Sequence, residues 1–331
     1  MVKNKMNIGQ NIKNKIGNKL HFIYKRLFAN HQYNFYLSRY RFNNVDDKTL
    51  NELKYFSETK YCWETCSNRL WLLYITILLE NNENEPIDIL VKKYLYFYGL
   101  KNVEEFFVAS YWFYNHGLTN EKIEKAAKIY KKILDSTASN KFSEQIRNKK
   151  IAVVGNSPNM LGKNKGNEID NHDIVIRFNE FYTKGYEKDY GVKCDFWANY
   201  FTNKDFLKYK ERPDCTLLWT NNAFVFSDHV GLENAYSCID KNWVMIPKIR
   251  RYVWENLNLC CDPTSGFIVI MYLYDILKSF ENVDFYGFKF LDDDKTVMKH
   301  HYFKTMFVND YKAHDIDNEA KFLKIFISQK K

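Results

Sequence analysis

From Ile151 onward, apolar runs of strand length alternate with helix-like segments, and no other property of the chain constrains its fold as strongly. The runs are IAVVG from Ile151, DIVIRFN from Asp173, CDFWANY from Cys194, CTLLWT from Cys215, NWVMIP from Asn242 and VDFYGF from Val283, with a helical stretch over 266–280 before the last. Strands and helices in alternation require crossover connections. The sequence therefore predicts an α/β fold: a Rossmann-like, mostly parallel sheet with helices on both faces, over residues 149–331. Eight of the twelve glycines lie beyond residue 150, where the tight turns of such a fold would need them.

The sequence ahead of this region has a different texture. Residues 46–145 carry apolar positions three to four apart in five segments, 50–56, 62–79, 87–98, 103–114 and 121–134, separated by ENNENEP, Gly99 and Gly117. This spacing predicts an all-α domain of paired antiparallel helices. The segment 115–134 is weakly repeat-like. A cap or oligomerisation role without chemistry is the plainest reading of this domain.

Residues 1–45 form a basic arm. They hold nine Lys and Arg and no acid, which equals the +9 net charge of the whole chain. Ile8, Ile12, Ile16, Leu20, Ile23 and Leu27 fall at helical spacing among the lysines, the pattern of an amphipathic helix on an anionic membrane surface. A solvated helix docked on its own protein is the alternative. No nucleic-acid fold signature accompanies the charge, so nucleic acid is not an expected partner.

Several classes are excluded. The longest apolar run, Leu70–Leu79, has ten residues, whereas a membrane span takes about 20. The seven cysteines are odd in number and scattered without metal-ligand spacing, so neither a zinc site nor a disulfide framework is expected, and a reducing cytoplasm suits them. The first thirty residues lack the continuous apolar segment of a secretion signal.

Candidate site residues gather at the ends of the strands. Ile151–Asn179 places Asn156 and Ser157 after one strand and Asn179 after the next, at the sheet edge where α/β folds bind ligands. Asparagine there can donate to phosphate and sugar oxygens without a charge. The dinucleotide fingerprint is absent, because only Gly155 follows the first strand. The sequence DPTSG puts Thr264, Ser265 and Gly266 at a helix start, which suits either an anion or a simple cap. Strand VDFYGF should bring Tyr286 and Phe288 to the same edge. His300, His301 and His314 cluster near the C-terminus, and a histidine there can take or give a proton near neutrality. The run LDDDK reads as a solvated turn, so no metal site is expected. His314 with Glu319 could be a base and its orienting carboxylate, or a surface histidine beside a helix cap.

In order and spacing these segments resemble the sialyltransferases. VVGNSPN through DIVIRFN is similar to the large sialylmotif of the animal-type enzymes of glycosyltransferase family 29, and PTSGFIVIMYLYDIL to the small one. His301–Phe303 is similar to the third motif, and His314 with Glu319 to the very small motif. GVKCDFWANY, RFNEFY and the TSG triplet are also similar to the bacterial lipooligosaccharide sialyltransferases of family 42. The resemblance covers the region from about Lys149 onward and implies a GT-A-like glycosyltransferase fold behind the helical domain.

It also implies an inverting, metal-independent transfer of sialic acid from CMP-sialic acid to a hydroxyl of a lipooligosaccharide or capsule-type glycan, with no cofactor. Asn156 and Asn179 would hold the phosphate and ribose, assisted by Ser157. Thr264, Ser265 and Gly266 would contact the cytidine end or the phosphate. His301 and Tyr302 would stabilise the departing phosphate, His314 would act as general base and Glu319 would help position the site. The animal enzymes join their two large motifs by a disulfide, but Ile151–Asn179 has no cysteine and no anchor pattern precedes it, so a cytoplasmic bacterial enzyme, peripheral at the inner membrane face, is expected. Two alternatives stay open: transfer of another CMP-activated keto-acid sugar such as Kdo, and a non-catalytic nucleotide-binding, helical-repeat scaffold.

Overall fold

Six short parallel strands form one sheet in the order β5-β4-β3-β2-β1-β6. They are β1 Ile151–Val154, β2 Ile174–Phe178, β3 Phe196–Asn199, β4 Thr216–Trp219, β5 Trp243–Met245 and β6 Val283–Tyr286. The computed structural model describes residues 29–40, 45–81, 85–138, 141–199, 215–220, 232–237, 239–240, 242–246, 263–291, 302 and 316–330. Registers run Val154↔Arg177 and Val154↔Tyr286 about β1, with Phe178↔Ala198 and Asn199↔Trp219 farther along the sheet. β1, β2 and β3 are buried at every position. That is why they read as unbroken apolar runs instead of alternating ones.

The described residues divide into two compact units between Ala127 and Lys128. In the first, residues 29–40 form helix α1, followed by α2 Asp47–Glu58, α3 Lys60–Thr65, α4 Asn68–Glu80, α5 Glu85–Tyr98, α6 Phe107–Asn115 and the start of α7 Glu121–Ala138. The apolar periodicity over 62–79 is split into α3 and α4 at Cys66–Ser67, where both residues are extended and the Ser67 side chain accepts from the Arg69 N–H. A serine cap interrupts the backbone there without interrupting the apolar pattern. Tyr36, Leu37 and Tyr40 of α1 are buried in this unit's core, so this part of the basic arm is docked on its own protein. The arm's apolar stripe from Ile8 to Leu27 lies outside the described residues.

In the second unit the strands alternate with α8 Lys141–Ile146, α9 Gly166–Asp170, α10 Glu187–Tyr190, α11 Leu232–Tyr236, α12 Ser265–Leu277 and α13 Ile316–Lys330. Ile151 and Val153 face one core with α8, α12 and α13, while Ala152 and Val154 face another with Ile169 and Tyr190. The chain steps from β1 out to β5 and then returns to the far side of β1 with β6. Carboxyl ends at such a reversal form a crevice that ligands use. No helix among the described residues is long and apolar enough to cross a membrane.

Candidate functional site

Two glycines set the floor of this crevice. Gly155 N–H donates to the Tyr286 carbonyl at 2.7 Å and Ser157 N–H to the Gly287 carbonyl at 2.8 Å. A Cβ on Gly155 would lie well inside van der Waals contact with the Gly287 carbonyl oxygen, and one on Gly287 would lie 2.5 Å from the Gly155 oxygen. Gly287 also has φ +66°, a left-handed conformation that glycine adopts without strain. That reversal sends Tyr286 and Phe288, expected on a shared edge, to opposite faces. Tyr286 joins the Val154 side and donates to Glu168 Oε1 at 2.9 Å. Phe288 packs on the Ile151 side against the edge of Phe178, with its ring where a Cβ on Gly266 would have to go.

The asparagines differ in what they have left to offer. Asn156 Nδ2 donates to the Phe178 and Glu180 carbonyls at 3.0 and 3.1 Å, tying the end of β1 to the loop after β2. Both amide protons are then engaged, and Oδ1 remains as an acceptor suited to a hydroxyl. Asn179 is held at φ 48° by its main chain, with its N–H on the Ala198 carbonyl at 2.8 Å and its own carbonyl accepting from Trp197 Nε1 at 2.6 Å. Its side chain is exposed at the sheet edge. Asparagine is among the few non-glycine residues that adopt this region readily.

Tyr302, far along the chain, is drawn into the same place. Its N–H donates to the Asn156 carbonyl at 3.0 Å, and its ring stacks on Tyr190 with centroids 3.9 Å apart. Its hydroxyl donates to the Tyr182 carbonyl at 2.5 Å and accepts from the Tyr182 N–H at 3.1 Å. In this arrangement the hydroxyl proton is directed to the Tyr182 carbonyl. The Tyr302 side chain thereby locks the loop after β2. Tyr186 and Tyr190 complete this lock with Tyr182 of the RFNEFY segment, and the four-residue spacing of the three tyrosines is its sign in the sequence.

At the start of α12, Thr264 caps the helix by accepting from the Phe267 N–H at 3.1 Å. Glu319, 3% exposed, accepts from both the Thr264 N–H and the Thr264 hydroxyl at 2.9 and 2.7 Å. Thr264 therefore serves as a cap and also receives the Glu319 carboxylate of α13. Ser265 is buried, with its hydroxyl 3.0 Å from that of Thr220 at the end of β4. Two residues before Glu319 in α13, Asp317 pairs with Lys289 Nζ at 2.5 Å, which holds its carboxyl below the usual range. No group of three metal-ligating side chains occurs among the described residues. His301 and His314 lie outside the described residues, as does the LDDDK turn apart from Leu291.

Behind the edge, Arg177 of β2 is 1% exposed and donates to the Lys193 and Tyr190 carbonyls at 2.8 and 2.6 Å, with its guanidinium 5.3 Å from the Phe181 ring centre. This buried cation stiffens the loop that carries Tyr190.

Residues 100–216 match the sequence profile of Glycosyltransferase family 29 (sialyltransferase). Over part of its length the chain is similar to the family 29 sialyltransferases. It is 25% identical over 231 residues to the CMP-N-acetylneuraminate-beta-galactosamide-alpha-2,3-sialyltransferase 2 of Rattus norvegicus, covering 64% of this chain and 63% of that protein. It is 27% identical over 173 residues to the beta-galactoside alpha-2,6-sialyltransferase 2 of Xenopus tropicalis, covering 40% and 32%. The matched region thus spans less than two thirds of these relatives. A crystal structure of a mammalian sialyltransferase aligns with 67% of the chain and 82% of its own, at 21% identity and a TM-score of 0.44.

Proposed function

We propose that this chain is an inverting, metal-independent sialyltransferase that moves sialic acid from CMP-sialic acid to a hydroxyl of a lipooligosaccharide or capsule-type glycan. One observation carries the reading: at the carboxyl ends of the strands, Asn156 is bonded to the loop after β2 and to Tyr302, Thr264 is bonded to Glu319, and the Phe288 ring lies against both Gly155 and Gly266 between the two groups. The names of the relatives, which specify CMP-N-acetylneuraminate and β-galactosides, support the donor and acceptor classes.

In this reading the acceptor hydroxyl oxygen attacks the anomeric carbon as the bond from that carbon to the phosphate oxygen breaks. CMP leaves, and the hydroxyl proton passes to a base. His314 is that base and His301 donates to the departing phosphate, roles taken from the family likeness. Asn179 offers its amide to the phosphate or ribose, and Asn156 Oδ1 accepts from a hydroxyl. A leaving group with a single phosphate can be stabilised by neutral donors and a histidine, without a divalent cation. A positioned general base contributes roughly 10²–10⁴ in rate. The fold is GT-A-like behind a helical domain, and the basic N-terminal arm holds the enzyme to an anionic membrane face in the cytoplasm.

CMP should raise Tm in the presence of EDTA, and His314→Ala should abolish transfer while CMP binding persists. Undiminished transfer by His314→Ala would remove the base assignment, and CMP stabilisation that requires a metal would remove the metal-free mechanism.

A further inference from the structure

The loop after β2 is bolted down over three consecutive residues while presenting an aromatic ring to solvent. Asn156 Nδ2 holds the Glu180 carbonyl, and the Tyr302 hydroxyl holds both the N–H and the carbonyl of Tyr182. Between them Phe181 is buried against the Arg177 guanidinium. On this base Tyr182 is 49% exposed, three residues beyond Asn179 at the same sheet edge, and its hydroxyl donates to Glu180 Oε1 at 2.8 Å. Exposed loop tyrosines are commonly mobile; this one has its backbone fixed from two directions and its hydroxyl oriented by a carboxylate.

A rigid aromatic face beside a carboxylate matches the surface of a pyranose. The C–H face of the sugar packs on the ring, and its hydroxyls donate to the carboxylate oxygens. Preorganisation of this kind reduces the ordering cost of binding. Charge decides which sugar is meant. The proposed donor carries a carboxylate and a phosphate, which Glu180 would oppose, whereas a neutral hexose meets only an acceptor. We propose that Tyr182 and Glu180 form the subsite for the neutral acceptor sugar, with the pyranose ring on Tyr182 and a ring hydroxyl bonded to Glu180. This rests on the sialyltransferase reading given above.

The test measures transfer from CMP-sialic acid to lactose and to a panel of neutral glycans, together with hydrolysis of CMP-sialic acid. In Tyr182→Ala the acceptor KM should rise at least tenfold, with donor KM and donor hydrolysis within twofold of wild type. Tyr182→Phe keeps the ring and should stay within about threefold of wild-type acceptor KM, while Glu180→Gln should raise it several-fold. Tm should stay within a few degrees throughout, since Tyr182 is half exposed. An unchanged acceptor KM in Tyr182→Ala, or a donor KM that rises equally, would overturn the subsite. Wild-type protein that hydrolyses the donor but transfers to no glycan would also overturn it. Wild-type protein that neither hydrolyses nor transfers would instead overturn the sialyltransferase reading itself.

Discussion

At the residue scale, three side chains that the sequence offered as ligand contacts are used first to hold the site together. Thr264 donates its hydroxyl proton to Glu319 while capping α12, so Thr264→Val should remove both the hydroxyl bond to the buried carboxylate and the side-chain cap, leaving the backbone N–H bond to Glu319 in place. Chemical denaturation should show a loss of about 3 kcal/mol, against less than about 1 kcal/mol for Thr264→Ser, which keeps the hydroxyl. Tyr302→Phe keeps the stack on Tyr190 and removes both hydrogen bonds to Tyr182, a loss of about 1–2 kcal/mol by the same measurement. A pH effect belongs at this scale too. The N–H groups of Gly162 and Asn164 donate to the Asp189 carboxylate at 2.9 Å and hold its pKa below the ordinary 3.8. A depressed carboxylate contributes stability that is present above its unfolded value and lost as pH falls through the folded one. Wild-type Tm should therefore fall more steeply than that of Asp189→Asn below about pH 4, and equal slopes would contradict the assignment.

At the element scale, the crevice depends on how closely β1 and β6 meet. Gly155→Ala and Gly287→Ala each push a Cβ into backbone and should cost about 3 kcal/mol or more in thermal or chemical unfolding. Gly99→Ala, at φ +59° with open space around the added Cβ, carries only the conformational strain, about 1 kcal/mol. The elements themselves were largely legible. Strands buried on both faces announce themselves as runs such as IAVV and IVIRF, and TSG marked the start of α12 within a residue. Its end was less legible than its start. The helix stops at Leu277 because Lys278 turns left-handed at φ 62°, a conformation no local pattern flagged. Nor could spacing show that Tyr302 seats between Tyr186 and Tyr190, or that Glu319 reaches Thr264. Those contacts join residues separated by 55 positions or more, and single-sequence periodicity reports only neighbours on one helix or strand.

At the scale of the whole molecule, the basic arm and the transfer site make separate predictions. Because Tyr36, Leu37 and Tyr40 belong to the helical core, removing residues 1–45 would damage folding, whereas removing 1–28 spares that packing. Deletion of 1–28 should release the protein from anionic vesicles with little change in Tm, and vesicle binding that persists would contradict the membrane role of the arm. The central claim is the reaction. Proton NMR of the purified chain with CMP-sialic acid and a neutral glycan acceptor, in EDTA, follows donor, product and anomeric configuration together. The spectra should show a sialylated product of inverted configuration and no product from CMP-Kdo; retention of configuration, a strict metal requirement, or turnover of CMP-Kdo alone would contradict the proposed reaction.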